Sequence, residues 1–94
     1  MTAERVARIR QRLITALAPS EIEVLDESHL HKGHHGARDG RGHFRVRIVS
    51  NRFTGLRSLQ RHRLVFDAVG DLMQTDIHAL AVAAITEDEA RQPR

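Results

Sequence analysis

The stretch His43-Phe44-Arg45-Val46-Arg47-Ile48-Val49-Ser50 constrains this chain more than any other. Phe44, Val46 and Ile48 alternate with His43, Arg45 and Arg47, a period of two that an extended strand presents as one apolar and one polar face. An apolar strand face must be covered, so the rest of the chain has to supply partner strands and a second layer to pack on them.

Candidates for both lie on either side. Residues 21–27 alternate less strictly, with Ile22 and Val24 inward, and as the sequence neighbour they make the cheapest antiparallel partner. Residues 3–18 carry Val6, Ile9, Leu13 and Leu17 at helical spacing, with Arg5, Arg8 and Arg12 opposite. Thr2 is a plausible N-cap, and Pro19 stops the helix. After the strand, Asn51 to Gly55 makes a turn. A short helical turn and a longer helix then run to about Met73, with Leu64, Val65, Ala68, Val69 and Leu72 as the apolar stripe and Gly70 weakening the end. Residues 77–85 contain four alanines, which favour a helix, but Ile77, Val82 and Ile85 are β-branched and favour a third strand. Thr86-Glu87-Asp88-Glu89 reads as a capping box opening a last short helix, and residues 91–94 fray.

The resulting order, αββααβα, predicts an α+β fold: a three-stranded sheet with helices packed on one face, its second and third strands joined through helices. The 94 residues fit one domain, 1–94, with an ordered core over about 3–89. No apolar run approaches the roughly 20 residues of a membrane span. The first residues lack the apolar core of a signal peptide, so the expected location is cytoplasmic.

Composition then removes several chemistries. There is no cysteine, hence no disulfide, no thiol nucleophile and no thiolate ligand from this chain. The three phenylalanines, with no Tyr or Trp, leave little for a base-stacking platform once a core is built. No nucleophile elbow, phosphate-binding loop or dinucleotide fingerprint is present, and the expectation is not an enzyme. What remains is unusual in one respect: seven histidines. Imidazole is the commonest metal ligand near neutral pH. His29, His31, His34 and His35 fall in the polar, Gly-rich loop of residues 28–42, where the spacing His31-x-x-His34 lets two ligands converge. His78 opens the third strand, where alternation sets it on the face of Leu80 and Val82; taken alone it reads as a packing residue. The formal net charge is +3, and all but Lys32 of the 15 basic residues are arginine. Arg57, Arg61 and Arg63 fall in a region, 53–73, with a helix-turn-helix look, and Arg52 lies just before it; they read either as phosphate contacts or as a solvated basic face.

Five motifs in order resemble the BolA-like family: Leu25-Asp26-Glu27-Ser28, His43-Phe44-Arg45-Val46, Val49-Ser50-x-x-Phe53-x-Gly55, Arg61-His62-Arg63-x-Val65 and His78-Ala79-Leu80. They cover the chain from about residue 5 to residue 89. The resemblance implies a fold similar to class II KH domains. It also implies an adaptor that pairs with a monothiol glutaredoxin and shares a bridging [2Fe-2S] cluster with it, in iron–sulfur trafficking or iron and redox regulation. The alternative it carries is a DNA-binding transcriptional regulator of morphology and stress genes, acting through region 53–73. When the partner is absent, a homodimer is one form open to the chain. By the same resemblance His78 is the C-terminal metal ligand. The second ligand lies in the loop: counting forward from Asp26-Glu27-Ser28 gives His31, counting back from His43-Phe44 gives His34. With no thiolate here, a partner cysteine and glutathione supply the remaining ligands. The chain departs from the family at Gly40-Arg41-Gly42, where Gly-Glu-Ser or Gly-Glu-Thr is common.

Overall fold

The computed structural model describes residues 2–31 and 40–92. In chain order these are helix α1 (Thr2–Leu17), strand β1 (Glu21–Asp26), a 3-10 turn (Ser28–His31), strand β2 (Gly42–Val49), a second 3-10 turn (Asn51–Phe53), helix α2 (Ser58–Val69), helix α3 (Leu72–Thr75), strand β3 (Ile77–Ile85) and helix α4 (Glu87–Arg91). The α+β layering follows the expectation. β2 is the central strand, antiparallel to β1 and parallel to β3.

Its alternating face explains the rest. Phe44, Val46 and Ile48 are buried, and Ile9, Leu13 and Leu17 of α1, Val65 and Val69 of α2, Leu72, Phe53 and Ile77 close over them as one cluster. Ile22 and Val24 on one side of β2, and Leu80, Val82 and Ala84 on the other, extend that face. Ser50 fixes the exit from β2. Its hydroxyl donates to Leu17 O at 2.6 Å and accepts from Arg52 N at 3.1 Å, joining the end of α1 to the turn that seats Phe53.

Two expectations change. Thr2 is the first helical residue of α1 rather than its cap. The long helix to Met73 is two helices, because Gly70 takes a positive φ of 51° and its amide closes on Phe66 O. Glycine enters that region without the Cβ clash that penalises other residues. The chain then turns through Asp71 into the single turn α3, which delivers it to the start of β3.

Side chains of the helices also reach the sheet margins. Arg10 of α1 donates to Ile22 O of β1 at 3.3 Å. Arg61 of α2 donates to Ala84 O of β3 at 3.0 Å and to Leu56 O at 2.9 Å. The same guanidinium grips Glu89 of α4 at 2.6 and 3.3 Å. Glu89 also completes the expected capping box: its carboxylate accepts from Thr86 N, and Thr86 Oγ1 accepts from Glu89 N. The Arg61 hydrogen bond, then the Thr86 amide, hold the Glu89 carboxyl down at about 2 against an ordinary value of 4.5. A depressed carboxyl pKa stabilises the fold fully above 4.5, and that contribution is lost as pH falls through about 2. Chemical denaturation over this acid range should therefore show wild type losing more stability than Glu89→Gln. Parallel losses would mean that the grip on α4 contributes nothing.

Candidate functional site

The first residues of β2 and of β3 lie side by side, and the candidate site among the described residues sits there. The local order begins with Asp26-Glu27-Ser28. Ser28 N donates to Asp26 Oδ1 at 2.8 Å, while Ser28 Oγ accepts from His43 N at 3.1 Å. Glu27 N donates to His43 O at 2.8 Å, so the backbone of His43 is held from both sides. Burial pushes the Asp26 carboxyl up, but the hydrogen bonds from Ser28 and Thr2 outweigh it and leave the group below its ordinary value. Asp26 therefore stays ionised and keeps its hold on the turn at neutral pH. Glu27 turns outward and accepts from Arg45 Nε at 3.0 Å.

Gly42 accounts for part of the unusual Gly40-Arg41-Gly42 run. A Cβ there would lie 2.7 Å from Ser28 Oγ and 2.9 Å from the Phe44 ring, so a side chain at this position requires Ser28 or Phe44 to shift. Gly40, at φ +80°, turns the chain into the strand.

The β2–β3 register then places the second histidine. Gly42 pairs with Ile77 and His43 with Ala79, so His78 is an extra residue with no counterpart, a β-bulge. This corrects the alternation reading, which set His78 on the face of Leu80 and Val82. Because the bulge consumes one residue, Ile77 and Leu80 both face the core while His78 is turned to solvent. Its ring lies 5.2 Å from that of His43, centroid to centroid, at 46°. Arg41 Nη2 lies 3.4 Å from His78 Nδ1, and Arg41 Nη1 donates to Met73 O at 2.9 Å. A depression of about 260 Å³ opens beside the pair, lined by Glu27, His43, Arg45, Ala79 and Leu80 among others.

Of the expected ligands, His78 is thus exposed and next to a second imidazole. His31 ends the first 3-10 turn, and its side chain lies outside the described residues, as does the whole of His34. Among the described residues no three His, Cys, Asp or Glu side chains form a ready metal site. His43 was not singled out as a ligand from sequence. The signal was its place as the first residue of the alternation in β2, which parallel pairing carries alongside the start of β3.

The basic cluster is divided. Arg52, Arg57 and Arg63 are exposed, whereas Arg61 is bound to Leu56, Ala84 and Glu89 and is committed to the fold. In region 53–73 only α2 is longer than one turn. Among the described residues no helix is long and apolar enough to cross a membrane.

The family model described as BolA-like protein matches residues 13–89. The chain belongs to the BolA-like family. It is 42% identical over 90 residues to SufE-like protein 1, chloroplastic/mitochondrial, of Arabidopsis thaliana, across 90% of this chain and 24% of that protein. It is 40% identical over 82 residues to the Escherichia coli K12 protein described as DNA-binding transcriptional regulator BolA, across 87% of this chain and 75% of that one. The solved BolA domain of Arabidopsis SufE1 superposes with a TM-score of 0.80 at 41% identity, covering 90% of this chain and 94% of that domain. The BolA-like chain thus spans about a quarter of the length of the SufE-like relative and nearly all of its BolA domain.

Proposed function

We propose that this BolA-like chain is an adaptor that pairs with a monothiol glutaredoxin and shares a [2Fe-2S] cluster with it across the interface, in iron–sulfur trafficking or iron and redox regulation. The observation that carries this reading is the bulge at His78, which turns an imidazole to solvent beside His43 instead of into the core. Bulges recur next to functional sites because they re-aim a side chain. The donor set fits the group in one respect and limits it in another. Imidazoles ligate iron in [2Fe-2S] centres of the mixed type, but a cysteine-free chain must take its thiolates from elsewhere. His78 is one ligand, and His31 or His34 is the second, with His43 beside His78 as a further candidate. A partner cysteine and glutathione complete the set. The cluster, when bound, supplies electron-transfer or transfer-cargo chemistry; this chain holds its edge through imidazole. A reducing compartment such as the cytoplasm suits such thiol partners.

The test is anaerobic co-purification of the chain with a monothiol glutaredoxin, iron and sulfide, read by visible circular dichroism. His78→Ala should abolish the heterodimer cluster signal while leaving the far-ultraviolet spectrum of the free chain unchanged. An unaltered cluster signal would remove His78 from the ligand set. The same experiment with His31→Ala, His34→Ala and His43→Ala separates the remaining candidates.

A second reading, a DNA-binding regulator, is supported by the exposed Arg52, Arg57 and Arg63 and by the description of the E. coli relative. Phosphate contacts would make duplex binding fall steeply with salt, by a logarithmic slope of about 0.9 per contact. Arg57→Ala and Arg63→Ala should each flatten that slope. Arg61→Ala is uninformative here, because Arg61 holds the fold. Absence of binding at low salt would defeat this reading.

A further inference from the structure

Arg41 stands where the family pattern commonly has glutamate, and the structure gives it a definite task. Its guanidinium bridges two elements, donating to Met73 O at 2.9 Å and meeting His78 Nδ1 at 3.4 Å. Gly40 and Gly42 flank it, and the space that a Gly42 side chain would need is filled by Ser28 Oγ and Phe44. The backbone from which Arg41 reaches is therefore fixed on the strand side, and the Met73 carbonyl fixes the head.

A guanidinium has five donors and no acceptor. For the 3.4 Å contact with His78 to be a hydrogen bond, Nδ1 must be the acceptor, and a neutral ring then carries its proton on Nε2. This has a consequence for metal ligation, which needs a nitrogen lone pair. Ligation through Nδ1 competes with Arg41 for the same lone pair. Ligation through Nε2 requires the ring proton to move to Nδ1, where it would point at a guanidinium N–H. Either route breaks the Arg41–His78 contact.

We propose that Arg41 is a positioning residue that caps His78 in the metal-free chain, holding it in the Nε2–H form, and that ligation at His78 proceeds only with release of Arg41. The second half of this statement rests on the reading of His78 as a ligand; the first half does not. No electron or proton has to be supplied from outside. The Nε2 proton either stays in place when Nδ1 ligates, or moves to Nδ1 through water when Nε2 ligates.

The experiment uses the full chain in two stages. Long-range nitrogen–proton NMR of the imidazoles, at a pH where the rings are neutral, reads the tautomer of His78 directly in wild type and in Arg41→Met, which keeps the aliphatic stem and removes the donors. Wild type should show the Nε2–H form, and Arg41→Met a mixture of the two. Cobalt(II) titration then follows on wild type, Arg41→Met, His78→Ala and the double variant. Removing one hydrogen bond of about 1 kcal/mol should tighten cobalt binding about three- to tenfold in Arg41→Met, and this gain should vanish in the His78→Ala background. An Nδ1–H tautomer in wild type, or the same tautomer in both proteins, overturns the cap. A cobalt gain that persists without His78 overturns its coupling to ligation. The wild-type tautomer stands as a test even if Arg41→Met fails to fold. If no cluster forms with any monothiol glutaredoxin, the adaptor reading fails while the tautomer and cobalt results still decide the role of Arg41.

Discussion

Phe44→Ala is expected to cost about 3–5 kcal/mol, the range for truncating a buried aromatic side chain. Phe44 is 2% exposed in the central strand, with Asp26 and Leu80 as its cross-strand partners. Its neighbours come from the sheet and from helices covering it, so no single element can move in to fill the gap. A domain of this size has only about 5–15 kcal/mol of stability in total. The variant should therefore unfold at a much lower urea concentration, with its denaturant slope unchanged. The effect should also reach the site, because the Phe44 ring forms part of the wall against Gly42. A loss below about 1 kcal/mol would mean that the core collapses around the gap, contrary to the close packing of protein interiors.

Asp76→Ala should cost about 1–3 kcal/mol, the scale of hydrogen bonds to a charged group, discounted because its arginine partners are partly exposed. Asp76 immediately precedes β3 and is 7% exposed. Its carboxylate accepts from Thr75 Oγ1 at 2.6 Å and from Arg8 Nη2 at 2.7 Å, with Arg5 Nε at 3.4 Å. Its main-chain oxygen accepts from Gly42 N. One residue thus ties α1, α3 and the start of β2 to the strand that carries His78. The Thr75 hydroxyl and Arg8 hold the carboxyl below its ordinary value of 3.8 although burial opposes them. The folded group therefore stabilises the protein above 3.8, and that contribution is lost as pH falls below this value. Denaturation at neutral pH should separate wild type from Asp76→Ala, and the gap should narrow in acid. A gap that is constant with pH would assign the loss to packing rather than to the charge.

The sheet was legible because its signal is local. The alternation from His43 to Val49 defines β2 within a residue, and the β-branched Ile77, Val82 and Ile85 identify β3 despite its alanines. The capping box at Thr86 is likewise a four-residue pattern. The divided helix was less legible: the sequence has Gly70 weakening the end of one helix, whereas its positive φ ends α2 there and starts a separate turn. The bulge at His78 could not be read at all. It depends on how Gly42 and His43 meet Ile77 and Ala79 across thirty-odd residues of sequence, and a one-residue slip inverts every side chain beyond it. For the same reason the sequence singles out His78 as a candidate but not its neighbour His43, nor the contact of Arg41 with the carbonyl of Met73 in a different element.

The arginines over Ile22 and Ala84 have a consequence for crowding. A three-stranded sheet has two open margins, here β1 and β3, and bare strand margins recruit strands from other chains. Arg10 and Arg61 each occupy one outward carbonyl of a margin strand. A strand from another chain that docked at either margin would first have to displace an arginine from the carbonyl it needs.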